Sequence, residues 1–176
     1  MSATVDLRSH IRDIPDFPKP GIVFKDITPL LTAPEALNGA VGELAELVSP
    51  LAVDLVIAAE ARGFILGGAL ARQLGAGFVP ARKPGKLPHE TLRVEYGLEY
   101  GIDSLEVHID SLAAGARVLV HDDLLATGGT AKAVCDLVTR LGGTVVGCVF
   151  LVELTFLGGR GRLAPHPVHA LISYDD

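Results

Sequence analysis

The stretch RVLVHDDLLATGGT, residues 117–130, decides how this chain folds. It begins with an aliphatic run, continues with two adjacent acids, and passes through a Thr-Gly-Gly-Thr turn into a helical pattern over residues 130–141. A buried strand that leads through a short turn into a helix is typical of a parallel sheet covered by helices. Because ligands bind beyond the carboxyl ends of the strands in such sheets, chemistry is expected at this turn.

The sequence on either side repeats the alternation of strands and helices. Short aliphatic runs predict buried strands, and apolar residues at a spacing of three or four predict helices. The predicted strands cover residues 54–59, 77–82, 105–109, 117–121 and 144–152, and the predicted helices cover residues 33–48, 64–74 and 130–141. The predicted fold class is therefore α/β, with a central, mostly parallel sheet flanked by helices.

The N-terminal part combines a helical pattern with a proline-rich segment. Residues 5–14 carry apolar side chains at helical spacing, which predicts a helix. Residues 14–21 contain three prolines and are not expected to be helical, because proline lacks the amide and restrains the residue before it. Thr32 and Glu35 then form a capping-box pattern, which predicts Thr32 as the N-cap of the next helix.

Composition limits the class of protein. A length of 176 residues corresponds to one domain, and a hydrophobic content of 49% excludes a disordered chain. A net charge of −6 argues against a nucleic-acid-binding surface, although backbone amides can still hold a phosphate. Cys135 and Cys148 follow no CxxC pattern and are predicted to be reduced core residues of a cytoplasmic protein. No apolar run approaches the length of a membrane span.

The turn after the two acids has the features of a socket for one phosphate. Gly128 and Gly129 let successive amides point inward, the helix N-terminus adds unpaired amides, and Thr127 and Thr130 add hydroxyl donors. The acids suit a sugar phosphate, because carboxylates accept hydrogen bonds from ribose hydroxyls. The alternative is a strand that ends in acids before a capped helix, but the pair of acids favours a binding site. The pattern is neither a Walker A loop nor a GxGxxG fingerprint.

The stretch resembles the phosphoribosyl-pyrophosphate signature of the type I phosphoribosyltransferases, and the resemblance extends over residues 14–174. Four further stretches are similar to the adenine-specific members of that family. They are FPKPGIVFKDI at residues 17–27, EARGF at 60–64, RKPGKLP at 82–88 and LEYG at 98–101. The resemblance implies the type I phosphoribosyltransferase fold in a single domain, residues 1–176, with an N-terminal hood over about residues 1–33 and a mobile loop over about residues 83–101.

The resemblance also implies where the sugar and its phosphates bind. Asp122 and Asp123 would hold the ribose 2′- and 3′-hydroxyls. The 5′-phosphate would lie on a loop formed by Ala126, Thr127, Gly128, Gly129 and Thr130. The pyrophosphate would be held by Glu60, Ala61, Arg62, Lys83 and Lys86, and the Glu60–Ala61 peptide bond is implied to be cis.

The adenine site and the catalytic residues are implied in the same way. Phe24 would stack on adenine, and the backbone of Val23 and Lys25 would read its edge. Without the resemblance, Phe24 is an ordinary loop aromatic packed on the core. The mobile loop would carry Arg82, Lys83, Lys86, Glu99 and Tyr100 over the reacting carbon. Arg62 and Glu99 are the implied catalytic residues, with Glu99 stabilising the cationic sugar or handling the adenine proton.

The implied reaction, a step of purine salvage, converts adenine and 5-phosphoribosyl 1-pyrophosphate (PRPP) to AMP and pyrophosphate. Mg²⁺ would enter with the pyrophosphate, with Asp122 and Asp123 as the only candidate protein ligands. The chain would be a homodimer with no nucleic-acid or membrane partner. Two alternatives stay open: transfer to another base, such as xanthine, guanine or orotate, and a non-catalytic PRPP sensor that regulates transcription. Val23 to Lys25 favour adenine, and the acidic chain shows no basic DNA-binding segment.

The remaining polar residues are predicted to have no catalytic role. His121 is expected to pack within its strand, with a pKa raised by the two acids that follow it, and His89 is expected to be solvated. Glu153 is predicted to be structural, and Arg160 and Arg162 are predicted to lie in a solvated glycine-rich turn.

Overall fold

Nine strands and five helices make up the computed structural model, which describes residues 5–98 and 101–176. In chain order the strands are β1 (Arg12–Ile14), β2 (Phe24–Asp26), β3 (Leu55–Ala59), β4 (Gly77–Ala81), β5 (Thr91–Leu98), β6 (Gly101–His108), β7 (Arg117–Leu125), β8 (Thr144–Leu154) and β9 (Val168–Tyr174). The helices are α1 (Thr28–Thr32), α2 (Pro34–Val48), α3 (Gly63–Leu74), α4 (Gly129–Arg140) and α5 (Gly159–Arg162), and single 3₁₀ turns occupy Leu7–His10, Ser49–Leu51 and Thr155–Leu157.

A five-stranded parallel sheet with the order β4-β3-β7-β8-β9 forms the centre of the structure. This confirms the predicted fold class. The central strand, β7, continues through both acids to Leu125 instead of ending at His121. The acids therefore lie inside the last part of the central strand, and α4 begins four residues after it ends.

Helices cover both faces of the sheet. Alternate residues of a strand point to opposite faces, so Val120 belongs to one core cluster and Leu119 to the other. Helix α4 and the β5–β6 hairpin pack on the first face, and α1, α2 and α3 pack on the second. The two aliphatic clusters hold the sheet between them, and the carboxyl ends of its strands remain open at one edge.

The helices on either side of the central strands agree closely with the sequence pattern. Helix α3 begins at Gly63 and ends at Leu74, and the following Gly75 adopts the left-handed conformation, φ +68°, expected of a C-terminal cap. Helix α4 begins at Gly129 and ends at Arg140, one residue earlier at each end than predicted. Within the two described ranges, no helix has the length and apolarity needed to cross a membrane.

Two predictions for the N-terminal part are wrong. Residues 5–14 contain a 3₁₀ turn and then β1 instead of a helix. The backbone of β1 pairs antiparallel with that of β2 and does not form hydrogen bonds within a helix. Thr32 is not an N-cap. It is the last residue of α1, its hydroxyl donates to the Pro29 carbonyl at 3.2 Å, and Ala33 occupies the N-cap position of α2 without a side-chain hydrogen bond.

The segment 83–101, which lacks a clear pattern in sequence, contains a regular strand. Strand β5 pairs antiparallel with β6 along its whole length. Leu92, Val94 and Tyr96 alternate with polar residues and pack on the first core cluster, with Val94 only 4% exposed. Burial of this alternating face orders β5 against the core.

Candidate active site

A cavity of about 300 Å³ opens at the carboxyl ends of β3 and β7. It collects residues from four separate parts of the chain. The lining residues are Glu60, Ala61, Arg62, Lys83, Tyr96, Asp103, Leu105, Asp122, Asp123 and Thr130. The acids of β7, the segment after β3 and one predicted loop lysine therefore share one space, at the edge where the sheet topology predicts a ligand site.

A second, smaller cavity of about 80 Å³ lies directly on the turn between β7 and α4. It is lined by Asp122 and by residues 124–131, which include all five predicted 5′-phosphate residues. Gly128 adopts φ +82° and precedes the first turn of α4, whose leading amides have no partner within the helix. These amides and the positive end of the helix dipole make this turn an anion site.

The two acids of β7 have unlike electrostatic environments. Burial, followed by the negative charge of Asp123, raises the pKa of Asp122 well above its ordinary value. The Asp122 Oδ1 atom accepts a 2.9 Å hydrogen bond from the Asp123 amide. Asp123 is 4% exposed and lies beside a cation, with 2.9 Å between its Oδ2 and Arg62 Nε. Burial and the neighbouring acid therefore disfavour the charged form of Asp122, and the ion pair of Arg62 is with Asp123.

The segment after β3 turns toward this pair of acids. Its Glu60–Ala61 peptide bond is cis, as the family resemblance implies. Glu60 accepts hydrogen bonds from the Lys83 amide at 2.5 Å and from Lys86 Nζ at 2.8 Å. Burial by itself would raise the pKa of Glu60, but these two bonds lower it below its ordinary value. Arg82 adds a second cation beside that of Lys86, with 3.5 Å between its Nε and Glu60 Oε1.

Lys83 also has a partner in the absence of any ligand. Its ammonium group forms an ion pair with Asp103, and the Tyr96 hydroxyl donates to Asp103 at 3.3 Å. Burial would lower the pKa of Lys83 and raise that of Asp103, but their mutual hydrogen bond and charges, together with further hydrogen bonds around them, outweigh burial and shift both pKa values in the opposite directions. Lys83 and Lys86 therefore both form ion pairs with carboxylates of the chain itself.

Asp103 is a site residue that the sequence reasoning missed. It faces Tyr96 across the hairpin, because β5 and β6 pair those two positions. Nothing in the local pattern singles it out, since Asp103 is one of several acids between residues 95 and 110. Only the register of the hairpin, once known, shows that it shares a face with Tyr96.

The predicted adenine residues lie at the edge of the site, on and before β2. Phe24 is half-buried, and its ring meets that of Phe17 edge to face at a centroid distance of 5.2 Å. The guanidinium of Arg62 lies 4.9 Å from the Phe24 ring centroid. Val23, which precedes β2, is 47% exposed. Phe24 is thus placed between a loop aromatic and a cavity cation instead of inside either core cluster.

Lys25 directs its side chain away from this edge. It is buried, its Nζ donates to Asp13 at 2.8 Å, and the same atom lies 3.9 Å from the ring centroid of Tyr174. The side chain ties β2 to β1 and to the C-terminal strand. Glu99 and Tyr100, predicted to be functional residues of the mobile loop, lie outside the described residues.

His121 is packed as predicted, but its electrostatics differ from the prediction. It is 1% exposed, and its Nδ1 lies 3.0 Å from the Val149 carbonyl oxygen. Because a carbonyl oxygen only accepts hydrogen bonds, Nδ1 carries the proton in this contact. Burial lowers the pKa of His121 to about 4, although the bond to Val149 opposes the shift. Desolvation therefore decides the direction of the shift, and the ring is neutral at pH 7.

Several predicted structural residues have specific contacts. Cys135 and Cys148 are free, buried thiols with their Sγ atoms 3.7 Å apart. His89 is exposed, and its Nε2 lies 3.7 Å from Asp110. Arg160 is not merely solvated, because it forms a bidentate ion pair with the buried Glu153. Among the residues that the structure describes, no three His, Cys, Asp or Glu side chains are grouped to hold a metal ion.

Comparison with known proteins identifies relatives of the whole chain. The family described as "Phosphoribosyl transferase domain" matches residues 31–166. An adenine phosphoribosyltransferase of Pseudothermotoga lettingae is 55% identical over 170 residues, which cover 97% of this chain and 100% of that protein. One from Rubrobacter xylanophilus is 57% identical over 171 residues, covering 97% and 92%.

Solved structures agree with these relatives. The crystal structure of an adenine phosphoribosyltransferase from Thermoanaerobacter pseudethanolicus is 54% identical and superimposes with a TM-score of 0.94, covering 96% of this chain and 98% of that one. The enzyme of Saccharomyces cerevisiae, crystallised with adenine and an imino-altritol bisphosphate, is 38% identical with a TM-score of 0.87, covering 93% and 94%.

Proposed function

This chain belongs to the phosphoribosyltransferase family, within its adenine-specific branch, and from that premise we propose how its cavity performs the reaction. The enzyme converts adenine and PRPP to AMP and pyrophosphate, a step of purine salvage. Displacement at the anomeric carbon requires that the leaving pyrophosphate be neutralised and that the base be held close to the carbon. The residues described above divide these tasks among them.

The sugar phosphate occupies the central strand and its turn. The amides and hydroxyls of Ala126 to Thr130 hold the 5′-phosphate in the smaller cavity, and Asp122 and Asp123 accept hydrogen bonds from the ribose hydroxyls. The raised pKa of Asp122 supports this division, because two adjacent buried carboxylates are unfavourable until hydroxyl donors or a cation reach them. Binding at two points fixes the anomeric carbon inside the larger cavity.

The pyrophosphate lies between the segment after β3 and the start of the hairpin. Arg62, Lys83 and Lys86 converge there, and all three hold carboxylates in the ligand-free protein. A pyrophosphate that enters exchanges these ion pairs for stronger ones to its own oxygens. Glu60 and the Ala61 amide shape the loop that faces it. The cations then stabilise the charge that develops on the leaving group.

Adenine binds at the edge formed by β2. Phe24 stacks on the base, and the backbone of Val23 and Lys25 donates to and accepts from its edge. The ion pair of the buried Lys25 with the exposed Asp13 supports this role, because it ties β2 to β1 and so holds the strand in place. Orientation of the base toward the anomeric carbon supplies much of the rate enhancement expected of such a site.

The hairpin segment from Lys83 to Gly101 acts as the lid that excludes water from the activated sugar. Two residues of this segment, Lys83 and Tyr96, line the larger cavity. We assign Glu99 to the developing positive charge of the sugar or to the adenine proton, and Tyr100 to the same predicted loop. The described part of the predicted hood, residues 5–33, carries the adenine site.

Mg²⁺ fits the donor chemistry of the cavity. The carboxylates of Asp122 and Asp123 are oxygen donors of the kind the ion prefers, and a cation beside them would favour the charged form of Asp122, whose pKa is raised. These two residues would hold it together with substrate oxygens. When bound, the ion supplies positive charge to the pyrophosphate oxygens.

The assembly and location of the enzyme are also proposals. We assign a cytoplasmic enzyme, supported by two buried thiols that lie close together and remain unbonded. We assign a homodimer, as the family resemblance implies, and no nucleic-acid partner, in line with the net charge of −6. Sedimentation of the purified protein at micromolar concentration tests the dimer.

The assembly of Asp122, Asp123, Arg62 and Lys83 in one cavity beside the phosphate turn is the observation that carries the function. A panel of bases with PRPP and Mg²⁺, followed by pyrophosphate release, tests it. We expect adenine to react at least tenfold faster than hypoxanthine, guanine, xanthine or orotate, because one mismatched buried donor costs about 1–3 kcal/mol. Preference for another base would overturn the adenine assignment, and PRPP binding without turnover of any base would favour the sensor.

A further inference from the structure

Gly158 and the short helix α5 (Gly159–Arg162) form one glycine-rich turn that packs directly against the 5′-phosphate loop. A Cβ at Gly128 would lie 2.6 Å from the Gly159 carbonyl oxygen, and a Cβ at Gly159 would collide with the Ala126 carbonyl oxygen. The two backbones therefore meet with no room for a side chain on either. This turn is the outer wall of the phosphate socket, a role that its sequence alone does not reveal.

Arg160 anchors this wall to the sheet. Its Nε donates to Glu153 Oε1 at 3.0 Å, its Nη2 bonds Oε2, and its Nη1 donates to the Val168 carbonyl. Glu153 is 3% exposed and lies near the end of β8, while Val168 begins β9. A bidentate pair to a buried carboxylate fixes the direction of the turn, because both partners are held at two points.

Arg162 extends from the anchored turn to the N-terminus of α4. Its Nη1 lies 3.7 Å from the position that a Cβ of Gly129 would take. No carboxylate within the described residues forms an ion pair with it. An exposed cation beside the positive end of a helix dipole is unfavourable by itself. An anion placed between the guanidinium and the helix amides would reverse the sign of that interaction.

We propose that Arg162 is a further ligand of the 5′-phosphate, and that Arg160, acting through Glu153, is a positioning residue for it. The proposal rests on the proposed role of the turn between β7 and α4. The wall places Arg162 on the solvent side of the phosphate, opposite the amides of Gly129 and Thr130. The phosphate then has donors on two sides, and the guanidinium can offer two N–H groups to its oxygens.

Titration calorimetry with ribose 5-phosphate and, separately, with adenine tests Arg162. The variant Arg162→Gln removes the charge from an exposed side chain and is expected to fold. We expect its dissociation constant for ribose 5-phosphate to rise about tenfold, the effect of one charge-assisted hydrogen bond. The constant for adenine should change less than twofold. An unchanged ribose 5-phosphate affinity in Arg162→Gln would overturn the proposal.

Arg140→Gln is the matched control. Arg140 is an exposed arginine in the last turn of α4, at the end away from the 5′-phosphate loop. Arg140→Gln therefore makes the same change in net charge at a distance from the phosphate. A tenfold loss in Arg140→Gln as well would show a general charge effect and would contradict the assignment. The result of the base panel does not affect this test. An enzyme that prefers another base would still bind a substrate with a 5′-phosphate for Arg162 to contact.

Arg160→Lys tests the positioning role. Lysine keeps the charge beside Glu153 but loses the bidentate geometry. We expect the KM for PRPP to rise several-fold while the KM for adenine stays constant. If Arg160 had a purely structural role, the variant would have a lower melting temperature and unchanged KM values for both substrates. That result would overturn the positioning role of Arg160. The double variant Arg160→Lys with Arg162→Gln should bind ribose 5-phosphate no more weakly than Arg162→Gln alone, because Arg160 acts through Arg162.

Discussion

The guanidinium of Arg62 lies 4.9 Å from the centroid of the Phe24 ring. The same side chain reaches Asp123, with 2.9 Å between Arg62 Nε and Asp123 Oδ2. One cation therefore links the proposed adenine stack to the proposed ribose site. A guanidinium near an aromatic ring gains about 0.5–1 kcal/mol at an exposed position, so a base or a pyrophosphate can displace it at small cost.

Replacement of Phe24 by alanine should weaken adenine binding. Loss of one base–aromatic stack costs about 1–3 kcal/mol, so the KM for adenine is expected to rise at least several-fold. The ring is only half-buried, and thermal unfolding should change little. The exposed Phe156 gives the control Phe156→Ala. Unfolding of Phe24→Ala with an unchanged adenine KM in the remaining folded protein would identify Phe24 as a core residue.

Replacement of Arg62 by lysine should lower kcat/KM at least tenfold. Lysine keeps the charge but loses both the planar face over Phe24 and the Nε atom beside Asp123. The side chain is 46% exposed, so the free energy of unfolding should change by less than about 1 kcal/mol. Steady-state kinetics with each substrate varied measures the effect, and Arg72→Lys, on the exposed face of α3, is the control. Wild-type rates in Arg62→Lys would mean that any cation suffices.

Replacement of Asp122 by asparagine should stabilise the ligand-free protein at neutral pH and impair turnover. The pKa of Asp122 is raised in the folded state, so between the ordinary and the raised pKa the unfolded chain binds fewer protons. The stability contributed by the protonated group is present at low pH and is lost as pH rises through that window. Melting temperatures of both proteins from pH 4 to 9 should diverge with rising pH, with Asp122→Asn the more stable.

The kinetic part of this prediction needs its own comparison. Asparagine keeps an acceptor for the Asp123 amide but loses a charged acceptor for ribose hydroxyls, which costs about 1.5–3 kcal/mol. The KM for PRPP should therefore rise at least tenfold, while the exposed control Asp110→Asn behaves as wild type. Parallel melting curves would contradict the raised pKa, and unchanged kinetics would remove Asp122 from the ribose site.

Replacement of Asp103 by asparagine should tighten PRPP binding. Asp103 holds the Lys83 ammonium in the ligand-free protein and competes with pyrophosphate for it. Partly exposed ion pairs contribute about 0.2–1 kcal/mol, so the KM for PRPP should fall by a factor of about 1.5 to 5. Asp136→Asn breaks a lysine pair on α4 outside the larger cavity and serves as the control. A higher KM in Asp103→Asn would mean that Asp103 positions Lys83 productively.

The local pattern was sufficient for the strand and helix order and for the phosphate turn. A hydrophobic period of two residues, or of three to four residues, depends only on residues close together in the chain, and so does the glycine turn before α4. These patterns predicted six elements within a few residues: β3, β4, β7, β8, α3 and α4. The same reasoning missed β1, β2 and β9, and read β5 as a loop, because these strands are ordered by pairing and packing with distant parts of the chain.

Contacts between distant segments, and the degree of burial, were decided only by the tertiary structure. Hairpin register brought Asp103 to Lys83, and chain packing brought Arg62 to Phe24 and Arg162 to the phosphate turn. Burial also decided the sign of a pKa shift: the sequence placed two acids after His121 and so predicted a raised pKa, whereas removal of the ring from water lowers it to about 4. Charge order along a chain is a local property, but the dielectric around each charge depends on everything packed against it.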